Sequence, residues 1–395
     1  MNQIQKLTVS NKRVGPILAR HPWIFSGAIN KIPDGIESGA PVAVFDEQQN
    51  FLAQGYFNSY SQIAVRVWSY DEKEIVDDKF FEKRIKQAFE IRENYVENKK
   101  TDAFRIINSE NDFLPGLIAD KYGDYVVLQF HTKGIERWKD QILKALIKIL
   151  KPKGIYERSD LRVREIEAGK KQAGLLYGKI PGKIKISENG FKFWVDVVNG
   201  QKTGFFLDQR AKRLALMKYV ENKNVLNCFS YTGGFSVYAL AAGAEKTVSV
   251  DSSASALELA KENIKLNKLD LKKCEFICED AKKYLIAPQQ KFDLIILDPP
   301  AFIKDRRKIK QGQAGYRSIN EMAMKILPEN GILLSCSCSA HLPLSDFQFV
   351  LTQAAARAKK TCRILETYTH DIDHLRLSAF SESEYLKSIY AIITD

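Results

Sequence analysis

The sequence predicts an α/β chain: an open, mostly parallel sheet in its C-terminal part, an α+β segment before that, and a β-rich unit at the start. Three observations carry this. From residue 225 onward, short apolar runs alternate with stretches of helical spacing, and each run ends in a polar or glycine-containing cluster. Residues 1–72 instead show short β-branched and aromatic runs separated by Pro, Gly, Asp and Asn turn signals. A length of 395 residues exceeds what one ordinary core supports, so two or three domains are expected.

Composition excludes several classes. Hydrophobic residues at 45% and charged residues at 27% describe a globular chain, neither disordered nor fibrous. No apolar run approaches the about 20 residues that a membrane helix needs, and the opening stretch MNQIQKLTVSNKRVG lacks the apolar core of a signal peptide. The expected location is cytoplasmic. Six cysteines are too sparse for a disulfide scaffold, and the five histidines make no zinc pattern with them, so free thiols and no metal are expected. A net charge of +12 suits a polyanionic partner.

In chain order, residues 41–45 (PVAVF), 51–57 (FLAQGYF) and 63–68 (IAVRVW) read as strands of a compact barrel or sandwich. Lys12, Arg13, Arg20 and His21 precede Trp23 and Phe25, which would let cations hold phosphates beside an aromatic face; the alternative makes the two aromatics core residues of a short helix. Residues 73–190 form a second, α+β unit without a catalytic cluster. There, 77–98 is a charged helix with Phe81, Ile85 and Phe89 on one side, 125–130 is a strand, and 135–150 is an amphipathic helix. Residues 188–190 form a hairpin turn, and the third unit spans 191–395.

The organising stretch of that third unit is VLNCFSYTGGFS (225–236), a buried strand that ends in a glycine turn opening a helix. Adjacent glycines permit close backbone approach and the helix start offers unpaired N–H groups. A second strand (246–250) ends at Asp251, where an open α/β sheet holds ribose hydroxyls. The glycine spacing is not G-x-G-x-x-G, which disfavours NAD. Further strands at 273–277, 292–297 and 331–335 end in Glu279-Asp280-Ala281, Asp298-Pro299-Pro300-Ala301-Phe302 and Cys336-Ser337-Cys338-Ser339. Each delivers a polar cluster to one carboxyl edge, which fits S-adenosylmethionine better. A helix over 347–358 and strands over 362–365 and 385–393 complete a seven-stranded sheet whose last strand is antiparallel.

These residues resemble class I S-adenosylmethionine-dependent methyltransferases, whose sheet is Rossmann-like. More closely, HPWIFSGAI (21–29), GQKTGFFLDQR (200–210), FDLIILDPPAF (292–302) and SCSCS (335–339) resemble the PUA-domain-containing family of ribosomal RNA large-subunit cytosine-5 methyltransferases, over nearly the full chain. The resemblance implies an RNA-binding PUA-like domain at 1–72, a central domain at 73–190 and a methyltransferase domain at 191–395. It also places 200–210 over the cofactor, with Phe205 and Phe206 stacking and Asp208, Gln209 and Arg210 as polar contacts. An alternative has Arg210 pairing with a carboxylate at the helix start.

S-adenosylmethionine is a sulfonium cation joined to adenosine, so Asp251 is the expected ribose ligand and Asp280 with Ala281 the adenine contact. Phe229, Ser230, Tyr231, Gly233 and Ser252 are expected neighbours. Asp298 adjoins both cofactor and base, Pro299 and Pro300 fix a rigid turn, and Phe302 is a stacking surface for an extruded base. Such a motif also serves exocyclic amine methylation, which needs no thiol. Carbon methylation requires a nucleophile at C6 of cytosine, and a cysteine is the natural group. Strand alternation puts Cys336 and Cys338 on one side, so periodicity does not separate them; matching the family's S-C-S-G pattern selects Cys338, although Ala340 departs from the glycine. Arg306 and Arg307 lie in a basic loop where substrate must enter, and with Arg13 and Arg20 are expected to contact RNA. Expected partners are ribosomal RNA and, as an admissible state, a second copy in a homodimer, with no membrane. Competing functions are an rRNA guanine or adenine N-methyltransferase and a non-catalytic RNA-binding assembly factor.

Overall fold

The computed structural model describes residues 4–160, 162–288 and 290–395. Residues 1–3, part of the opening stretch read above for a leader, lie outside the described residues. Two compact units result: one comprises Met1–Ile186, Val195–Leu207 and Ile372–Ser381, the other Ser187–Trp194, Asp208–Asp371 and Glu382–Asp395.

The first unit holds a six-stranded sheet in the order Trp23–Phe25, Ile63–Ser69, Phe51–Phe57, Pro41–Phe45, Gln5–Val9, Ile29–Lys31, and a five-stranded sheet in the order Gln172–Gly178, Gly154–Ser159, Tyr125–Phe130, Leu117–Tyr122, Ala103–Asn108. The segments read separately as 1–72 and 73–190 lie together in this unit because they share a core. Tyr56 and Trp68, from the six-stranded sheet, join Phe81, Phe104 and Leu128 in one apolar cluster, and the Tyr56 hydroxyl bonds Thr132 Oγ1 at 2.7 Å. Trp23 and Phe25 occupy a strand rather than a helix. The helix expected over 135–150 is two, Lys133–Glu136 and Lys139–Leu150.

The second unit is the predicted sheet. Its strands are β1 (Asn224–Cys228), β2 (Lys246–Asp251), β3 (Cys274–Cys278), β4 (Leu294–Leu297), β5 (Gly331–Ser337), β6 (Thr361–Tyr368) and β7 (Lys387–Thr394), in the spatial order 3-2-1-4-5-7-6. Strands β1 to β5 pair in parallel, and β7 runs antiparallel to both β5 and β6. The helices are α1 (Arg210–Leu216), α2 (Gly234–Ala241), α3 (Ala254–Leu266), α4 (Ala281–Ile286), α5 (Ile309–Ile326) and α6 (Leu344–Ala358).

Strand alternation sorts the central side chains to two cores. Ile295 and Leu297 join the cluster made with α4, α5 and α6, while Leu294, Ile296 and Cys336 join the cluster made with α1 and α2. Burial on both faces is why these strands read as continuous apolar runs.

Candidate active site

Register aligns the strand ends. Cys228 pairs with Leu297 and Leu297 with Ser335, so the residues beyond β1, β4 and β5 emerge at one edge. The loop after β1 is held in an unusual backbone. Phe229 and Tyr231 have φ of 59° and 48°, values that bulky side chains seldom adopt, and strain of this kind collects at functional sites. It is fixed from two sides. The Tyr231 amide donates to Asp251 Oδ2 at 2.8 Å and Asn263 Nδ2 of α3 donates to the Thr232 carbonyl at 3.0 Å. Below it, Ser236 Oγ bridges Asn227 Nδ2 at 2.9 Å and Ser249 Oγ at 2.8 Å.

The glycines serve the protein's own packing. Gly233 has φ of 75°, and a Cβ there would meet Ala260 Cβ at 2.9 Å, so the residue lets α3 close on the loop. Two buried hydroxyls of the loop, Ser230 Oγ and Thr232 Oγ1, have no hydrogen-bond partner among the described residues. Buried orphans of this kind are ordinarily satisfied by something bound. With the carboxylate of Asp251 as acceptor, they form a hydrogen-bonding set that fits the hydroxyls and polar edges of an adenosine.

Around that loop, Ser252 is exposed, and its carbonyl accepts from Cys278 Sγ at 3.6 Å. Asp280 is exposed and caps α4, accepting from the amides of Lys282 and Lys283 at 2.9 and 3.1 Å, with Ala281 buried behind it.

Asp298 is held by Gln209, whose Nε2 donates to both carboxylate oxygens at 2.9 and 3.0 Å. Asp208 accepts from the Tyr385 hydroxyl at 2.7 Å. The Arg210 guanidinium pairs with Asp371 at 3.0 Å, the arrangement foreseen as its alternative. Pro299 is buried and Pro300 exposed. Phe302 packs on Tyr316 with ring centroids 4.6 Å apart, and Lys282 Nζ stands 5.2 Å from its ring centre.

The two cysteines separate. Cys336 lies inside β5, fully buried in the apolar cluster, and burial, reinforced by the charge of Asp298, raises its pKa well above the ordinary thiol value. Cys338 lies just past the strand end, partly exposed, with Sγ donating to the Pro299 carbonyl at 3.7 Å. Both lie near Asp298, and Cys338 is the partly exposed one, with its thiol on the Asp298-Pro299-Pro300 turn.

Arg306 and Arg307 are exposed after that turn, and Arg307 pairs with Asp305 at 2.5 Å. The other predicted contacts belong to the first unit. Phe205 is buried, with its amide donating to the Tyr122 hydroxyl at 3.3 Å, and Phe206 carries Lys202 Nζ 4.4 Å above its ring. Arg13 is exposed, and Arg20 lies over Tyr70 at 4.8 Å.

Three residues of the site went unread in the sequence: Asn263, Tyr316 and Lys387. Tyr316 bonds Ser339 Oγ at 2.9 Å, and Lys387 Nζ bonds the Ser339 carbonyl at 2.8 Å. The one available signal was a lysine at the start of an otherwise apolar final strand.

Among the described residues no group of three or more His, Cys, Asp or Glu is placed to hold a metal ion, and no helix is long and apolar enough to cross a membrane.

Residues 169–371 match the S-adenosylmethionine-dependent methyltransferase family model, and residues 7–70 match a PUA-like domain. The chain is 40% identical over 386 residues to ribosomal RNA large subunit methyltransferase I of Escherichia coli O139:H28, covering 97% of this chain and 98% of that protein. Among solved structures, a protein described as a methyltransferase and complexed with SAH superposes with a TM-score of 0.86 at 26% identity, over 98% of this chain and all of that one. A protein from Streptococcus mutans described as a SAM-dependent methyltransferase gives 0.84 at 25%, with the same coverage. The methyl donor is accordingly S-adenosylmethionine. The chain belongs to the S-adenosylmethionine-dependent methyltransferase family, within the group that carries an N-terminal PUA-like domain and includes ribosomal RNA large subunit methyltransferase I.

Proposed function

We propose that this chain methylates large-subunit ribosomal RNA at C5 of a cytosine, through a transient covalent adduct between Cys338 and the base. The rRNA substrate is supported by the printed activity of a relative 40% identical over 97% of the chain. The carbon chemistry is supported by one observation: a partly exposed thiol stands 3.7 Å from the carbonyl of Pro299, the residue after Asp298.

Cytosine C5 is a poor nucleophile until its aromatic system is broken. An extruded base, whose unstacking costs a few kcal/mol, takes the Cys338 thiolate at C6. A C–S bond forms, and the electron pair of the C5–C6 double bond moves toward C5. Asp298, oriented by Gln209, supports a protonated N3 and draws charge into the ring. Bound S-adenosylmethionine supplies the methyl group on an electrophilic sulfonium. A base then removes the C5 proton, the C5–C6 double bond re-forms, and Cys338 leaves as thiolate, so one proton is released per turnover. The loop at 229–233, Asp251 and Asp280 are the residues that would hold the donor. Arg306, Arg307, Arg13 and Arg20 are the cations that would hold RNA, and Pro300 and Phe302 would border the base.

Methylation of an exocyclic amine would use the same Asp298-Pro299-Pro300 turn without a thiol, so the test centres on Cys338. Labelled methyl groups transferred to large-subunit rRNA, followed by nucleoside digestion, should appear in 5-methylcytidine. Cys338→Ala should lower the rate by about a thousandfold or more, as loss of a covalent nucleophile does, whereas Cys336→Ala should retain transfer. An RNA containing 5-fluorocytosine, which has no C5 proton to lose, should trap the wild-type protein and not Cys338→Ala. Unimpaired methylation by Cys338→Ala, or label in a guanine or adenine nucleoside, overturns the proposal.

A further inference from the structure

Lys387 opens β7, and antiparallel pairing sets it opposite Ser337 of β5. Its side chain is fully buried, a location where an ammonium is unfavourable unless its three N–H groups find acceptors. They find backbone carbonyls: Ser339 at 2.8 Å, Tyr385 at 3.1 Å and Glu384 at 3.5 Å. Among the described residues no carboxylate lies within ion-pair distance of it.

Two other buried cations of the same unit are neutralised. Arg213 pairs with Glu188 at 2.6 Å and Arg210 with Asp371 at 3.0 Å. Lys387, unlike these two, is caged by neutral dipoles that fix the ammonium, and the charges it acts on without an ion pair are the Glu384 carboxylate and Cys338. Cys338 is the residue between Ser337, which β5 pairs with Lys387, and Ser339, whose carbonyl Lys387 bonds.

We propose that Lys387 is a positioning residue that lowers the pKa of Cys338 and holds it as thiolate for attack on the base. Its purpose rests on the C5 methylation reading; its electrostatics do not. Burial pushes the Lys387 pKa down to about 8, while the negative charges of Glu384 and Cys338 push it back up. The lysine therefore remains mostly protonated at neutral pH, and the thiolate and the ammonium stabilise each other.

Other groups around the thiol include Tyr316 of α5, Cys336 of β5 and Asp298 after β4. Burial raises the pKa of Tyr316 and of Cys336, so both are neutral at pH 7. The Asp298 carboxylate opposes ionisation of a neighbouring thiol, as it does at Cys336. Lys212 of α1 faces Cys336 and Asp208 instead.

The test uses the full-length protein without RNA. Iodoacetamide alkylation of Cys338, followed by peptide mass spectrometry from about pH 6 to 10, should give a midpoint below the ordinary thiol value of about 8.5. Lys387→Met should raise that midpoint by about one unit and slow alkylation at pH 7 about tenfold, in the range one nearby charge produces. Lys387→Arg should restore much of the loss, and the exposed Cys278 should alkylate alike in all variants. If Lys387→Met does not fold, the wild-type midpoint decides alone, and a value at or above about 9 overturns the inference. An unchanged profile in a folded Lys387→Met overturns it while leaving C5 methylation standing. Continued methylation by Cys338→Ala overturns the functional reading while leaving the lysine–cysteine coupling intact.

Discussion

Asp298 is oriented by the side chain of Gln209. Gln209 Nε2 bonds both of its carboxylate oxygens, and Gln209 is itself only 2% exposed, so the donor is held in place by its surroundings. Hydrogen bonds to charged groups contribute about 1.5–3 kcal/mol, and a misplaced acid at a reacting base costs rate more than binding. Gln209→Leu, close in volume, is therefore expected to lower kcat for methyl transfer by about tenfold or more, with little change in KM for S-adenosylmethionine. A rise in that KM at unchanged kcat would instead make Gln209 a cofactor contact, the role the sequence resemblance implied. The cysteines show what a sequence holds at this scale. Cys336 and Cys338 share a side by alternation and were inseparable by period, and a motif match alone selected Cys338. What separates them is the place where β5 ends, at Ser337, and a strand end is set by pairing with β7, some fifty residues later in the chain.

The second unit depends on how its elements lock around the sheet, and one buried pair carries much of that. Arg213 of α1 donates twice to Glu188, at 2.7 and 2.6 Å, and the Tyr238 hydroxyl of α2 adds a third bond to the same carboxylate at 2.9 Å. Both charged side chains are nearly inaccessible, at 3% and 0%. Removing one partner leaves an uncompensated buried charge, which costs about 3–5 kcal/mol. Glu188→Ala should lower urea-unfolding stability by that amount, and a loss under about 1 kcal/mol would show that the pair is dispensable. The residues of this pair were legible only as a turn and a helix start, because partners 25 positions apart leave no local pattern. The strands of the large sheet were legible since two-sided burial writes continuous apolar runs into β1, β4 and β5. Trp23–Phe25 and Ile29–Lys31 were not: each is three residues long and partly exposed, too short for alternation to register. The interruption between Lys133–Glu136 and Lys139–Leu150 was missed because the apolar spacing continues across it.

At the scale of the whole molecule, the two compact units differ from the three segments visible in the sequence because domain limits follow shared cores rather than composition. The same scale governs RNA affinity. A net charge of +12 makes binding to a polyanion a matter of counterion release, whose signature is the slope of log K against log salt concentration. Not every cation contributes equally to that slope. In the loop after the Asp298-Pro299-Pro300 turn, Arg306, Lys308 and Lys310 are exposed, whereas Arg307, also exposed, already pairs with Asp305, whose pKa that contact lowers. If the loop grips phosphates of a splayed, single-stranded segment, replacing Arg306, Lys308 and Lys310 together by Gln should make the slope shallower by about 2, at about 0.7 per contact. Affinity should fall most at low salt, with S-adenosylmethionine binding unchanged. Arg307→Gln alone should move the slope less than Arg306→Gln, since its charge is already partnered. Filter binding across a salt series measures all of these, and a triple variant whose line runs parallel to wild type would remove this loop from the RNA interface.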